Sequence, residues 1–352
     1  MKIIIKIITF ILVMFIAFIP PSISNVSRFA YSAINNNRKI YNVAVVIHRG
    51  DDPYMMRLKE SLKNIQGKHN DINFTFYDAK NNIAIQNEII DSVLKKNFDL
   101  IILNLANKKE DTVESIISNV KKENIPVIIM NIPQDTVKKV SPLYSKAAFV
   151  LPDSKKAGST QGKIIVDLWN SNRKALDKNG DNILQYVLLK GEVDDPQTID
   201  RSKYVISTLN DSAIKTESLG IIDANWTKEL AKDSFEQLFL KYNRTIEAII
   251  SNNDAMAIGA IEALQKYGYN KGDQSKHISV FGIDGLPEAI NLIDKGIMTG
   301  TVIQNQDIAA EMFYTIGMNL INDLNPVENT NYKVIGSEII IPYSYAIYTG
   351  KP

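Results

Sequence analysis

Short apolar runs that alternate with helix-spaced segments constrain this chain more than any other feature. Val43–His48 (VAVVIH) is a β-branched run, and Tyr54–Ile65 follows with helical spacing at Met55, Leu58, Leu62 and Ile65. Ile72–Tyr77, Leu100–Leu105 and Pro126–Met130 read as further strands, separated by helical patterns over Ile83–Lys95 and Asp111–Lys122. Near-continuous apolar strands joined by amphipathic helices imply a parallel sheet covered on both faces, the doubly wound α/β class.

The pattern then begins again. Strand-like runs at Ala147–Leu151, Gln185–Leu189, Leu219–Asp223, Ala248–Ser251, Ile278–Phe281 and Val302–Gln304 alternate with helical segments. Those helices are Lys155–Trp169, Ile199–Leu209, Thr227–Tyr242, Ala255–Lys266, Glu288–Lys295 and Ile308–Leu324, and an extended stretch, Ser337–Tyr348, closes the chain. So many strands overfill one sheet, and 352 residues suffice for two cores. The expected architecture is two Rossmann-like lobes, with the boundary near Asn131–Val140. Residues 41–132 and 305–335 form the first lobe, and residues 133–304 and 336–352 the second.

Ahead of these elements, Lys2 and Lys6 precede a 13-residue apolar run, Ile7–Ile19, and the segment Pro20–Ser24. A basic start, an apolar centre and a small-x-small end describe a secretory signal over residues 1–24. The same residues also fit an uncleaved membrane anchor, since Ile3–Ile23 nearly spans a bilayer. Both readings place the folded part outside the cytoplasm, and residues 25–40 read as a tether.

Composition excludes several chemistries. There is no cysteine, hence no disulfide, thiolate metal site, Cys nucleophile or lipidated N-terminal Cys. Three histidines, His48, His69 and His277, are too few for a multi-histidine metal site. A net charge of +1 favours no nucleic-acid partner. No G-x-G-x-x-G follows the first strand, and neither a P-loop nor a G-x-S-x-G motif occurs. No pair of loop acids stands out as an acid–base couple, so the chain is read as a binding protein rather than an enzyme.

Ligands of doubly wound sheets bind beyond the carboxyl ends of the strands. The residues there are Asp51, Asp52, Tyr54, Asn104, Asp195, Gln197, Arg201, Asn225, Trp226, Asn252, Asn253, Asp254, Asp284, Gln304 and Asn305. Planar polar side chains pair with adjacent hydroxyls, and aromatic faces pack on the C–H face of a sugar ring. Each residue taken alone also suits a turn or a helix cap. The set as a whole favours a sugar.

A second constellation precedes the Gln185 strand. Asp177, Asn179 and Asp181 occupy positions 1, 3 and 5 of an EF-hand-like loop, with the Ile183 carbonyl at 7 and Gln185 at 9. Position 6 is Asn182 instead of Gly, which is tolerable because Asn enters the left-handed region readily. Position 12 is Leu188, so the loop lacks its own bidentate carboxylate. A polar turn accounts for the same residues equally well.

VLLKGE (Val187–Glu192), SNNDAMAIGAIEAL (Ser251–Leu264), FGIDGLPEAI (Phe281–Ile290) and GTV (Gly300–Val302) resemble the glucose/galactose-binding proteins, the type I periplasmic sugar-binding components of ABC transporters. The likeness spans most of Asn42–Tyr343. It implies two lobes joined by three crossing segments, with a hexose in the cleft contacted by Asp52, Tyr54, Asn104, Arg201, Trp226, Asn253 and Asp284. It further implies a structural Ca²⁺ held by Asp177, Asn179, Asp181, the Ile183 carbonyl, Gln185 and a distant carboxylate, Glu247. Tyr54 replaces a common Phe. Asp195, Gln197 and Gln304 stand where the family has His, Asp and Asn, so the pocket is expected to differ in which sugar it accepts. The implied function is delivery of a monosaccharide to an ABC permease by a monomer, and the alternative is a membrane-tethered sensor partnering a signalling kinase or a chemoreceptor in chemotaxis.

Overall fold

The computed structural model describes residues 39–242 and 245–350. The N-terminal apolar run and the tether expected at 25–40 therefore lie almost wholly outside the described residues. Among those described, no helix is long and apolar enough to cross a membrane.

The first sheet begins with β1 (Tyr41–Ile47), α1 (Pro53–Lys68), β2 (Ile72–Asp78), α2 (Ile83–Leu94), β3 (Leu100–Asn104), α3 (Glu110–Lys122) and β4 (Val127–Met130). It continues through α4 (Gln134–Val140) and β5 (Ala147–Pro152), and late in the chain gains β11 (Lys333–Ile335) and β12 (Glu338–Ile341). Its strand order is β11-β12-β5-β4-β3-β1-β2, and only the β11–β12 pair is antiparallel. The two-residue strand period decides which face each side chain covers. Val43, Val45, Leu100 and Ile102 meet Leu58, Leu62 and Phe313 on one face, while Ala44, Val46, Ile101 and Leu103 meet Ile90, Val113 and Ile117 on the other.

The second sheet holds β6 (Ile183–Lys190), β7 (Lys215–Asp223), β8 (Ala248–Ser251), β9 (Ser279–Asp284), β10 (Gly300–Ile303) and β13 (Ala346–Tyr348), in the order β13-β10-β9-β8-β6-β7. β13 alone runs antiparallel. Helices α5 (Ser154–Ser171) and α6 (Pro196–Asp211) cover one face through Ile164, Val205 and Leu209. On the other face α7 (Lys228–Tyr242) and α8 (Asp254–Lys266) contribute Phe235, Phe239, Met256 and Leu264. Helix α9 (Pro287–Asp294) adds Ala289 and Ile293 to that core, and α10 (Gln306–Ile321) returns the chain to the first lobe, packing on α1 and β4.

The two-lobed α/β expectation therefore holds, with different lobe limits. β5 was expected beyond the boundary, in the second lobe, yet it pairs in parallel with β4 from Val127↔Ala147 to Met130↔Val150. β12 was also expected there, but it pairs with β5. A run of apolar residues does not encode which sheet it joins. The crossings consequently fall at Asp153, at Gln304–Asn305 and at Pro342–Tyr345, so three segments join the lobes.

Candidate functional site

The carboxyl ends of β1, β3, β4, β5, β12, β6, β8 and β9 meet at one cleft between the sheets. The cleft encloses about 740 Å³, open solvent at its mouth included, and is lined from both lobes. The first lobe contributes His48, Arg49, Asp52, Tyr54, Met55, Asn104, Lys108, Met130, Asn131, Pro152 and Ile341; the second contributes Glu192, Asp195, Gln197, Arg201, Trp226, Asn253 and Asp284. Nine of the ten sugar-binding candidates thus converge. The tenth, Gln304, is buried behind Arg201 instead of facing the cleft. Of the other residues at strand ends, Asp51 remains at the surface paired with Arg49, Asn252 is fully buried behind the cleft, and Asn305 caps α10.

Three of the converging side chains are placed by helix capping. Asp52 accepts from Met55 N at 2.9 Å, Asp195 from Gln197 N at 2.7 Å and Asn253 from Met256 N at 2.9 Å. Each cap satisfies an orphan amide of the helix start and fixes the rotamer of a cleft residue. The Nδ2 of Asn253 also donates to the Trp226 carbonyl at 3.3 Å.

Trp226 sits on a strained turn. It and Asn225 both adopt left-handed conformations, with φ of 64° and 48°. Such a pair of non-glycine residues is costly and turns the indole into the cleft. The ring lies against Gly191, where a Cβ would fall 2.1 Å from Trp226 Cε2, so only glycine admits it. The Arg201 guanidinium stands 5.4 Å from the ring centre.

Arg201 anchors the floor. It is 3 % exposed; Nη1 donates to the Asn252 carbonyl at 2.7 Å, and Nη2 donates to Gln197 Oε1 at 2.7 Å and Gln304 Oε1 at 2.9 Å. Gln197 and Gln304 therefore share one guanidinium nitrogen. Asp284 pairs with Nη1 at 3.6 Å, and its φ of 128° is rare for an L residue. Burial pushes the Asp284 carboxyl well above the usual range; Arg201 opposes that shift, and Asp254 and Asp52 add to it. Behind it, Asp254 accepts from Thr301 Oγ1 at 2.7 Å and Leu286 N at 2.8 Å, and burial raises its carboxyl to about 6. Burial also raises Asp52, against the pull of Arg49. Tyr54 hydrogen-bonds through its hydroxyl to Tyr343 in the third crossing, a contact unavailable to a Phe.

His48, Arg49, Lys108, Asn131 and Glu192 also line the cleft, although none was singled out from the sequence. His48 and Asn131 directly follow β1 and β4, and the rule of strand ends would have found them. Lys108 lies in the loop after β3, where no spacing marks it.

The cation-loop candidates come together at the far end of β6. Glu247 reaches the loop from the start of β8, accepting from Lys178 N at 2.6 Å, Asn179 N at 3.4 Å and Gln185 N at 3.2 Å. Asp181 accepts from the amide nitrogens of Asn179 and Gln185 at 2.9 and 2.8 Å. Asn182 takes the left-handed conformation the loop requires, with φ of 63°. Asp177 is buried, and its Oδ1 has no hydrogen-bond partner. Among the described residues, no three or more His, Asp or Glu side chains are grouped to hold a metal, so a cation here would also need amide and carbonyl oxygens.

Residues 43–324 match the model of the periplasmic binding protein domain. The chain belongs to this family. It is 34 % identical to the D-galactose/methyl-galactoside binding periplasmic protein MglB of Haemophilus influenzae over 302 residues, 86 % of this chain and 88 % of that protein. Two solved structures share the fold of this periplasmic binding protein. An ABC transporter solute binding protein from Bacillus halodurans with bound myo-inositol superposes with a TM-score of 0.69 at 23 % identity, covering 90 % of this chain and 96 % of that one. A periplasmic solute binding protein from Actinobacillus succinogenes with bound D-allose gives 0.69 at 18 % identity, covering 88 % and 97 %.

Proposed function

We propose that this chain is an extracytoplasmic monosaccharide-binding protein that delivers a hexose to an ABC permease by closing its lobes over the ligand, acting as a monomer. The observation that carries this reading is the convergence of Trp226 with Asp52, Asn104, Asn253, Asp284 and Arg201 in one cleft between hinged lobes. An aromatic face suits the C–H side of a ring, and the planar acids and amides suit its hydroxyls. The galactose-binding relative supports a hexose. Asp195 and Gln197 shape the choice of sugar directly and Gln304 does so through Arg201, because an unmatched buried polar group discriminates strongly between epimers. Titration calorimetry with galactose, glucose, allose, xylose and ribose tests the reading. Failure to bind any monosaccharide would defeat it.

The N-terminal apolar run Ile7–Ile19 supports a second reading, a tethered sugar sensor. N-terminal sequencing of the exported protein separates the two: a start near Asn25 favours the free carrier, an intact Met1 the tethered form.

The loop after α5 is proposed as a structural Ca²⁺ site of Asp177, Asn179, Asp181, the Ile183 carbonyl, Gln185 and Glu247. The unpartnered Asp177 Oδ1 supports it, as does an all-oxygen donor set once the two amides turn their oxygens inward. Bound Ca²⁺ would neutralise the acids and fix the turn between α5 and β6.

A further inference from the structure

We propose that Lys108 is a specificity-determining residue of the cleft, where with Asp195 it forms an ion-paired clasp that both closes the lobes and reads one ligand hydroxyl. The proposal rests on the sugar-binding reading above and deepens it. Lys108 comes from the first lobe, in the loop between β3 and α3, and Asp195 caps α6 in the second. The Lys108 Nζ donates to Asp195 Oδ2 across the cleft. Both side chains are mostly buried, at 13 % and 4 % exposure, which leaves little water to screen the pair.

The rest of the Asp195 carboxylate is already committed. Its Oδ1 accepts from Gln197 N at 2.7 Å, so the helix cap holds the rotamer and the lysine must come to it. One contact leaves Lys108 two N–H donors, and both residues line the cleft. A neutral hydroxyl there can accept from Nζ while donating to the second lone pair of Oδ2. Lys108 and Asp195 balance each other's charge, so a neutral hydroxyl fits between them, whereas a ligand carboxylate at this point would meet the carboxylate of Asp195. The ligand selected at this point is an uncharged polyol.

Dissociation constants and dissociation rates for D-galactose and D-glucose, measured on the full chain, test the proposal in Lys108→Met, Asp195→Asn, the double variant and Lys108→Arg. Lys108→Met is expected to weaken binding about tenfold or more, chiefly through faster dissociation, with a changed galactose-to-glucose ratio. The double variant should bind no worse than Lys108→Met, because the two losses share one interaction. Lys108→Arg keeps the charge and should remain within about threefold of wild type. Binding by Lys108→Met within about threefold of wild type, losses that multiply in the double variant, or an unchanged sugar ratio would overturn the proposal.

Small-angle scattering without sugar reads the clasp on its own. Lys108→Met should have a larger radius of gyration than wild type, and equal radii would sink the closing role. If wild type binds none of the five monosaccharides, the sugar reading fails, while the scattering comparison still decides the clasp.

Discussion

Arg49 Nη1 donates to the Asn225 carbonyl at 2.8 Å, although the two residues belong to opposite lobes. The same guanidinium holds Asp52 through Nη2 at 2.9 Å and Asp51 through Nε at 3.2 Å. One side chain thus ties a cleft-lining acid of the first lobe to the strained turn that presents Trp226 in the second. Arg49→Ala removes the tie and leaves the Asp52 carboxyl buried without its cation. Loss of a charge-assisted bond of this kind costs about 1.5–3 kcal/mol, so sugar affinity should fall about tenfold or more by calorimetry. Arg49→Lys should recover only part, since an ammonium cannot fork between three acceptors.

Gly191 makes room for the indole of Trp226. In Gly191→Ala the added methyl would occupy the ring's place, 2.1 Å from Cε2 and 2.2 Å from Cζ2. The ring must shift by more than an ångström or the turn must move. We expect a loss of sugar affinity together with a change in Trp fluorescence, which has only one other source, Trp169, buried in α5. Wild-type affinity in Gly191→Ala would show that the indole is not the ring platform.

The Asp254 carboxyl titrates near 6 in the fold, against about 3.9 when unfolded. A raised acid binds its proton more tightly in the native state. Its stabilising contribution is therefore complete below the unfolded value and disappears as pH rises through 6. Asp284 shifts in the same direction, so the two buried carboxyls share the effect. Asp254→Asn should flatten the stability curve between pH 4 and 6.5 in urea unfolding. The amide fits because the Thr301 hydroxyl can turn to accept from it. A curve that keeps its slope in the variant would assign the titration elsewhere.

Chelation probes the cation loop. If Ca²⁺ is held there, adding it at about a hundred times its dissociation constant should stabilise the chain by roughly 2.7 kcal/mol, and EDTA should reverse the shift in melting temperature. Glu247→Gln should abolish the response, because Glu247 is the one carboxylate that reaches the loop from β8. An equal Ca²⁺ response in Glu247→Gln would place the ion at another site.

Much of this molecule is written locally. The two-residue and 3.6-residue periods mark the strands and helices, because each side chain's face follows from its place in the element. Asp52, Asp195 and Asn253 cap helices directly after strands, so their sequence neighbours alone bring them to the cleft. The Asp177–Gln185 loop likewise carries its oxygens, and its left-handed Asn182, within nine residues. Tertiary structure decided the rest. Whether β5 and β12 join the first sheet or the second depends on pairing partners far away in the chain. Gln304 turns from the cleft to bond Arg201, 103 residues distant, and Lys108 reaches Asp195 across 87. Periodicity governs faces within an element; it carries no information on which charged ends meet when two lobes close.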